Sequence, residues 1–204
     1  MINWATDFID AIGLIGVALL IALESIFPPI PSELILLLTG SNVAAGRFGY
    51  VGGVIASTVG SVIGAYVLYG IGRALSEDRL ERFLSTVGRV AGLKRSDVHK
   101  GFVWFERHGS LVLFFGRLVP VVRSVVSIPA GAEKMSLVRF TVLTAAGSVI
   151  WNAIWVAIGW GLGNEWEKAG KWGDYLQYAV VAGVAVGLVY LIAKARRQRA
   201  TESV

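Results

Sequence analysis

Four ionisable residues stand where the surrounding sequence is apolar: Glu24, Glu33, Arg117 and Arg123. In lipid, each charge at a helix centre costs roughly 2.5–3.5 kcal/mol, so the four left alone would cost on the order of 10 kcal/mol. That approaches the stability of an ordinary domain. The charges must therefore pair, face water or change protonation state. Arginine keeps its proton and presents a planar fork of donors suited to phosphate, whereas a glutamate can be neutralised by taking up a proton. Two acids facing two guanidinium groups near the bilayer midplane could thus exchange a proton for an anionic headgroup. Protonating Glu24 or Glu33 would release an arginine to the anion. Two plainer roles stand beside this one. The four could form fixed ion pairs that only hold the structure together, and Glu33 could cap the helix after Pro31-Ser32. Asn152, inside another apolar run, reads as an interhelical hydrogen bonder or a second-tier substrate contact.

Composition excludes several other chemistries. Of 204 residues, 55% are apolar and only 16% charged, against about 25% charged in soluble domains. With no cysteine, disulfides and thiolate metal sites are impossible. His99 and His108 sit in a charged stretch and make a poor metal site. No metal, cofactor or catalytic residue is expected. The basic clusters Arg73 to Arg107 and Lys194 to Arg199 adjoin long apolar segments, which suits cytoplasmic loops under the positive-inside rule and argues against nucleic acid as a partner.

The elements that must position the four charges follow from hydropathy and proline. A spanning helix needs about 20 mostly apolar residues. Residues 8–27, 49–72, 137–162 and 176–193 meet that length. Two more apolar stretches are broken by proline and carry charge: 28–46, with Pro28, Pro31 and Glu33, and 110–131, with Arg117, Pro120, Arg123, Pro129 and Gly131. Backbone groups freed by proline must be satisfied within the protein, which predicts re-entrant hairpins lining a sheltered cavity. Residues 76–109 place apolar side chains at helical spacing against charges, as in amphipathic surface helices closed by Gly109. The N-terminal run lacks the basic start of a signal peptide, so it is expected to be retained. Counting crossings back from the basic tail puts the C-terminus in the cytoplasm and opens the two hairpins to opposite sides.

Gly60-Ser61-Val62-Ile63 returns as Gly147-Ser148-Val149-Ile150, 87 residues later. The same offset sets Phe27 on Phe114, Thr39 beside Val126, Arg47 on Lys134 and Gly72 on Gly159. The expected fold is therefore all-α and integral to the membrane. It is an inverted repeat, each copy a re-entrant helical hairpin plus a long transmembrane helix, with surface helices and a C-terminal transmembrane helix added. Inverted repeats with broken helices are common in secondary transporters.

At these residues the chain resembles the DedA family of bacterial membrane proteins, part of the wider VTT-domain group. The resemblance lies in Glu24 with Pro28, Pro31 and Glu33, in the run Phe115-Gly116-Arg117-Leu118-Val119-Pro120-Val121-Val122-Arg123, and in Pro129-Ala130-Gly131. The span from Gly60 to Arg73 and Asn152 also fit, and Glu33 stands where relatives often carry Asp. The resemblance implies lipid traffic in the bacterial inner membrane, above all the recycling of undecaprenyl phosphate. Phosphatidylethanolamine movement and proton-dependent drug tolerance are its other associations. A lipid phosphatase would need a nucleophile and a general acid beside the arginines, and no motif supplies them; the chain is read as a non-enzyme. Proton coupling and oligomeric state, a homodimer included, are left open by the residues.

Overall fold

The computed structural model describes residues 3–26, 32–74, 95–120 and 122–165. Among them there is no strand. The helices are α1 (Asn3–Ile12), α2 (Leu14–Ile26), α3 (Ser32–Ala44), α4 (Tyr50–Ala74), α5 (Arg95–Gly116), α6 (Val122–Val125), α7 (Ser127–Ala132) and α8 (Leu137–Leu162), followed by a 3-10 turn at Gly163–Glu165.

The two long helices organise the rest. With 25 and 26 residues, α4 and α8 each rise roughly 38 Å, enough to cross a hydrocarbon core of about 30 Å. One face of each carries Val51, Ile55, Val59, Ile63 and Ile71, or Val138, Val142, Val149 and Ile154, all exposed. In water an outer face would be charged; an apolar one needs lipid. The opposite face of α4 is small, with Gly53, Ser57, Gly60, Ser61 and Gly64, so neighbouring backbones come close. The pair runs antiparallel. Near one end the Tyr50 hydroxyl donates to Ala153 O at 2.9 Å, and near the other the Tyr69 hydroxyl donates to Met135 O at 2.6 Å.

Four shorter helices pack on this pair. Helix α2 lies along α4, where a Cβ on Gly60 would fall on the Ala18 carbonyl. Helix α3 lies along α8, α7 along α4, and α5 against α8. Two of these contacts repeat in register. A side chain at Gly40 would strike Val156 O and Trp160 N, and one at Gly159 would strike Leu37 O. Likewise, a side chain at Gly131 would strike Tyr69 O and Arg73 N, and one at Gly72 would strike Ile128 O. The α4 and α8 members of these contacts (Tyr69 and Val156, Gly72 and Gly159, Arg73 and Trp160) are 87 residues apart. The α3 and α7 members (Leu37 and Ile128, Gly40 and Gly131) are 91 apart. In this correspondence Thr39 falls opposite Ala130 rather than Val126, because α3 runs four residues past Gly40 and α7 only one past Gly131, and the loops that follow differ by one more.

These contacts make a test. Gly40→Ala and Gly131→Ala should each destabilise the protein by at least the ~1–3 kcal/mol of ordinary overpacking, since backbone, not a pliant side chain, would have to move. Gly70→Ala and Gly161→Ala, where a Cβ meets nothing within 4 Å, should not lower the detergent melting midpoint and should raise it slightly, since alanine favours a helix over glycine by about 0.5–1 kcal/mol.

Several expected boundaries change. The single span 8–27 is two helices, because Gly13 adopts φ +59°, a conformation glycine takes without steric cost. Residues 32–44 form one uninterrupted helix rather than both arms of a hairpin, and no proline falls within them. The helix expected to close at Gly109 does end there, because the backbone leaves the helical conformation at His108 (φ −131°, ψ 22°); a second helical segment then carries α5 on to Gly116. Pro28, Pro31, Phe27, residues 76–94, the span 176–193 and the basic tail lie outside the described residues.

Candidate functional site

Glu24 comes from α2, on the face that also buries Val17, Leu20 and Ile21. The face that meets α4 is the neighbouring one, Leu14, Ala18, Ala22 and Ser25; Val17, Leu20 and Ile21 join the core that also holds Trp151 and Trp155, so the carboxylate is carried inward although α2 is apolar almost throughout. Both arginines come from the interruption between α5 and α7. Helix α5 ends as the Arg117 N–H shares the carbonyls of Leu113 and Phe114. A turn through Pro120 follows, and the Arg123 N–H then bonds Val119 O at 3.0 Å. Pro129 sits three residues into α7, in a first turn that needs no N–H donor. Gly131 brings α7 onto the α4 backbone rather than forming a hairpin apex.

The structure brings Glu24 and Arg123 together, 99 residues apart in sequence, in an ion pair of 2.5 Å between Oε2 and Nη2. Glu24, Arg117 and Arg123 are all buried, at 5%, 3% and 7% exposure. Arg117 is held differently. Its Nη2 donates to Ser127 Oγ at 2.7 Å and more weakly to Thr144 Oγ1 at 3.5 Å, while its Nε is buried without an acceptor. Among the described residues no carboxylate pairs with it. Gly147 makes room for this side chain, since a Cβ there would come within 2.7 Å of the Arg117 Cβ. The Arg123 guanidinium also lies 6.0 Å from the centre of the Trp151 ring, within cation–π range.

Glu33 is not part of the ion pair. It stands half-buried in the first turn of α3 and makes no salt bridge among the described residues, a position that suits the helix dipole. Asn152 lies between α8 and α4, its amide donating to Thr58 Oγ1 at 3.2 Å and Ser61 Oγ at 3.4 Å. Asn152→Leu should lower stability by about 1 kcal/mol, the usual scale of such bonds in membranes, measurable as a modest drop in detergent melting midpoint.

Ser127, Thr144, Gly147, Trp151 and Trp155 were not among the site residues expected from sequence. Their signal was a stripe on α8: Thr144, Ser148, Trp151 and Trp155 recur at helical spacing and are all buried. With two guanidinium groups and one carboxylate buried, this cluster carries net positive charge and is rich in donors. It can hold an anion with several acceptor oxygens.

A family model described as the VTT domain matches residues 29–161, most of the chain. The chain belongs to the DedA family of VTT-domain membrane proteins. Both long apolar helices and both arginines fall within the matched region. A DedA relative in Lactococcus lactis subsp. lactis, named "Alkaline phosphatase-like protein", is 44% identical, covering 89% of this chain and 84% of its own length. The Staphylococcus aureus protein named "Undecaprenyl phosphate transporter A" is 37% identical, covering 72% of each chain. Its Bacillus subtilis namesake is 30% identical over 96% of this chain and 93% of its own. No solved structure matches this DedA protein significantly.

Proposed function

We propose that this protein moves an anionic, phosphate-bearing lipid across the bacterial inner membrane, with undecaprenyl phosphate as the substrate. The observation that carries the reading is Arg117: a guanidinium 3% exposed whose partners are two hydroxyls. A buried cation held this way lacks the charge compensation that keeps such groups stable, and a phosphate monoester supplies it bidentately. The transporter names of the S. aureus and B. subtilis relatives support the same substrate.

In the proposed mechanism the phosphate binds Arg117 first, while Glu24 occupies Arg123. A proton reaching Glu24 breaks the ion pair and gives Arg123 to the same phosphate. Its loss after release restores the pair. Glu33 stands at the other end of the short connection from α2 and would relay that proton. The glycine contacts shared by α3 with α8 and α7 with α4 support an inverted repeat, and the shortness of α2, α3, α6 and α7 supports re-entrant hairpins. Such segments are tolerated where they line a cavity.

Labelled undecaprenyl phosphate reconstituted with the protein in proteoliposomes tests this. Flip should appear with wild-type protein, rise with an inward proton gradient, and be absent from protein-free vesicles. Equal rates with and without protein would sink the proposal. The phosphatase-like name of the Lactococcus relative supplies a second reading, since an anion pocket also suits phosphate-ester hydrolysis. Release of inorganic phosphate from undecaprenyl diphosphate by the purified protein would favour it.

A further inference from the structure

Hydrogen-bonding donors without acceptors are concentrated along one face of α8. Three buried side-chain nitrogens of the described residues carry an N–H with no partner: Arg117 Nε, Trp151 Nε1 and Trp155 Nε1. Arg117 packs at Thr144 and Gly147 of α8, and Trp151 and Trp155 follow two and three turns along the same face. The two indoles are 1% and 0% exposed, with ring centres 5.7 Å apart, and Trp151 lies against the Arg123 guanidinium. Helix α3 runs the same way along α8, with Gly40 on Val156 and Ala44 beside Gly163. Its Ser32 end therefore points back toward the tryptophans, and the Ser32 hydroxyl is also buried without a partner. Two buried unpartnered atoms stand apart from this set: Ser110 Oγ on α5, and the Asn152 carbonyl oxygen, an acceptor on the side of α8 that meets Thr58 and Ser61 of α4.

Tryptophan is a poor choice for a buried apolar position when its N–H finds nothing to bond. An unmet donor in a low-dielectric interior is costly, and two adjacent ones, the first of them against Arg123, call for a ligand made of acceptors. We propose that Trp151 and Trp155 donate their indole N–H groups to the oxygens of the phosphate headgroup and select a phosphate monoester over a headgroup ending in ammonium. A phosphodiester ending in ammonium offers two charged oxygens where a monoester offers three, and its ammonium brings three more donors and no acceptor, so it satisfies fewer of these donors and its cation is repelled by Arg117. The inference rests on the phosphate-lipid reading above and narrows it by ranking a phosphate monoester above phosphatidylethanolamine.

Indole-15N-labelled full-length protein in detergent provides the direct readout. Its seven tryptophans should give resolved N–H cross-peaks, with those of Trp151 and Trp155 identified through the Trp151→Phe and Trp155→Phe variants. Farnesyl phosphate should move both proton resonances downfield, and farnesol should not. Each Phe variant should bind farnesyl phosphate roughly 10-fold or more weakly, the scale of one hydrogen bond to a charged group. The preference for farnesyl phosphate over phosphatidylethanolamine should narrow in the same variants. If either variant misfolds, benzothienylalanine at that position keeps the ring's shape without the N–H. Unmoved indole resonances at saturating farnesyl phosphate, in protein whose binding still depends on Arg123, would overturn this inference and leave the proposed function intact. Failure of wild-type protein to bind farnesyl phosphate at all would overturn both.

Discussion

Arg117→Lys is expected to cut flip of undecaprenyl phosphate in proteoliposomes by roughly 10- to 100-fold, with the protein still folded. Lysine keeps the charge but loses the planar fork, so one charge-assisted hydrogen bond to the phosphate goes, and such bonds are worth about 1.5–3 kcal/mol each. Arg117→Gln removes the charge as well and should bring flip to the background of empty vesicles. The stability outcome separates this residue from a structural one. Because hydroxyls rather than a carboxylate hold Arg117, removing its charge strands no buried partner ion. The Arg117→Gln protein should therefore melt in detergent no more than a few degrees from wild type. Flip at the wild-type rate by Arg117→Gln would show that the buried guanidinium has no part in transport.

Glu24→Gln should have the opposite profile, damaging stability and transport together. The substitution leaves Arg123 buried beside a neutral amide, and breaking one side of a buried ion pair costs about 3–5 kcal/mol. Arg123→Gln strands Glu24 in the same way. The double variant Glu24→Gln/Arg123→Gln removes both charges and should recover most of the lost stability, as non-additive coupling between contacting residues requires. Transport should stay absent in all three. Under the proposed mechanism Glu24→Asp, which keeps a titratable acid on a shorter arm, retains stimulation by a proton gradient at a reduced rate. The decisive measurement is the cycle of four melting midpoints beside four flip rates. A double variant that flips lipid normally would reduce the ion pair to a brace between α2 and α6.

Much of the membrane character and of the charge cluster was legible in the residues. Long apolar runs at 49–72, without a charge, and at 137–162, with Arg139 at its start, predict helices that coincide with α4 and α8 to within two residues, because hydropathy over about 20 residues is a local property. The need for Glu24 and Arg123 to find partners also follows locally, from the cost of a charge in lipid. Helix breaks were harder. Gly13 reads as one small residue in an apolar run, and only its φ of +59° shows that α1 and α2 are separate. The 87-residue offset was visible in the long helices, but the contacts of α3 and α7 follow an offset of 91, because α3 runs further past its contact glycine than α7 does, and four-residue matches do not detect it.

What the sequence determined by itself was the solvent, the helical class and the set of ionised groups that cannot stand alone. Those depend on side-chain type and on periodicity along one segment. The tertiary structure decided the partners: Glu24 with Arg123, hydroxyls for Arg117, Glu33 left at a helix start, and two unpartnered indoles on α8. Pairing across 99 residues depends on which helix faces touch. Those faces are set by backbone approach at Gly40, Gly60, Gly131 and Gly147, and a glycine in a sequence does not say which carbonyl it will meet.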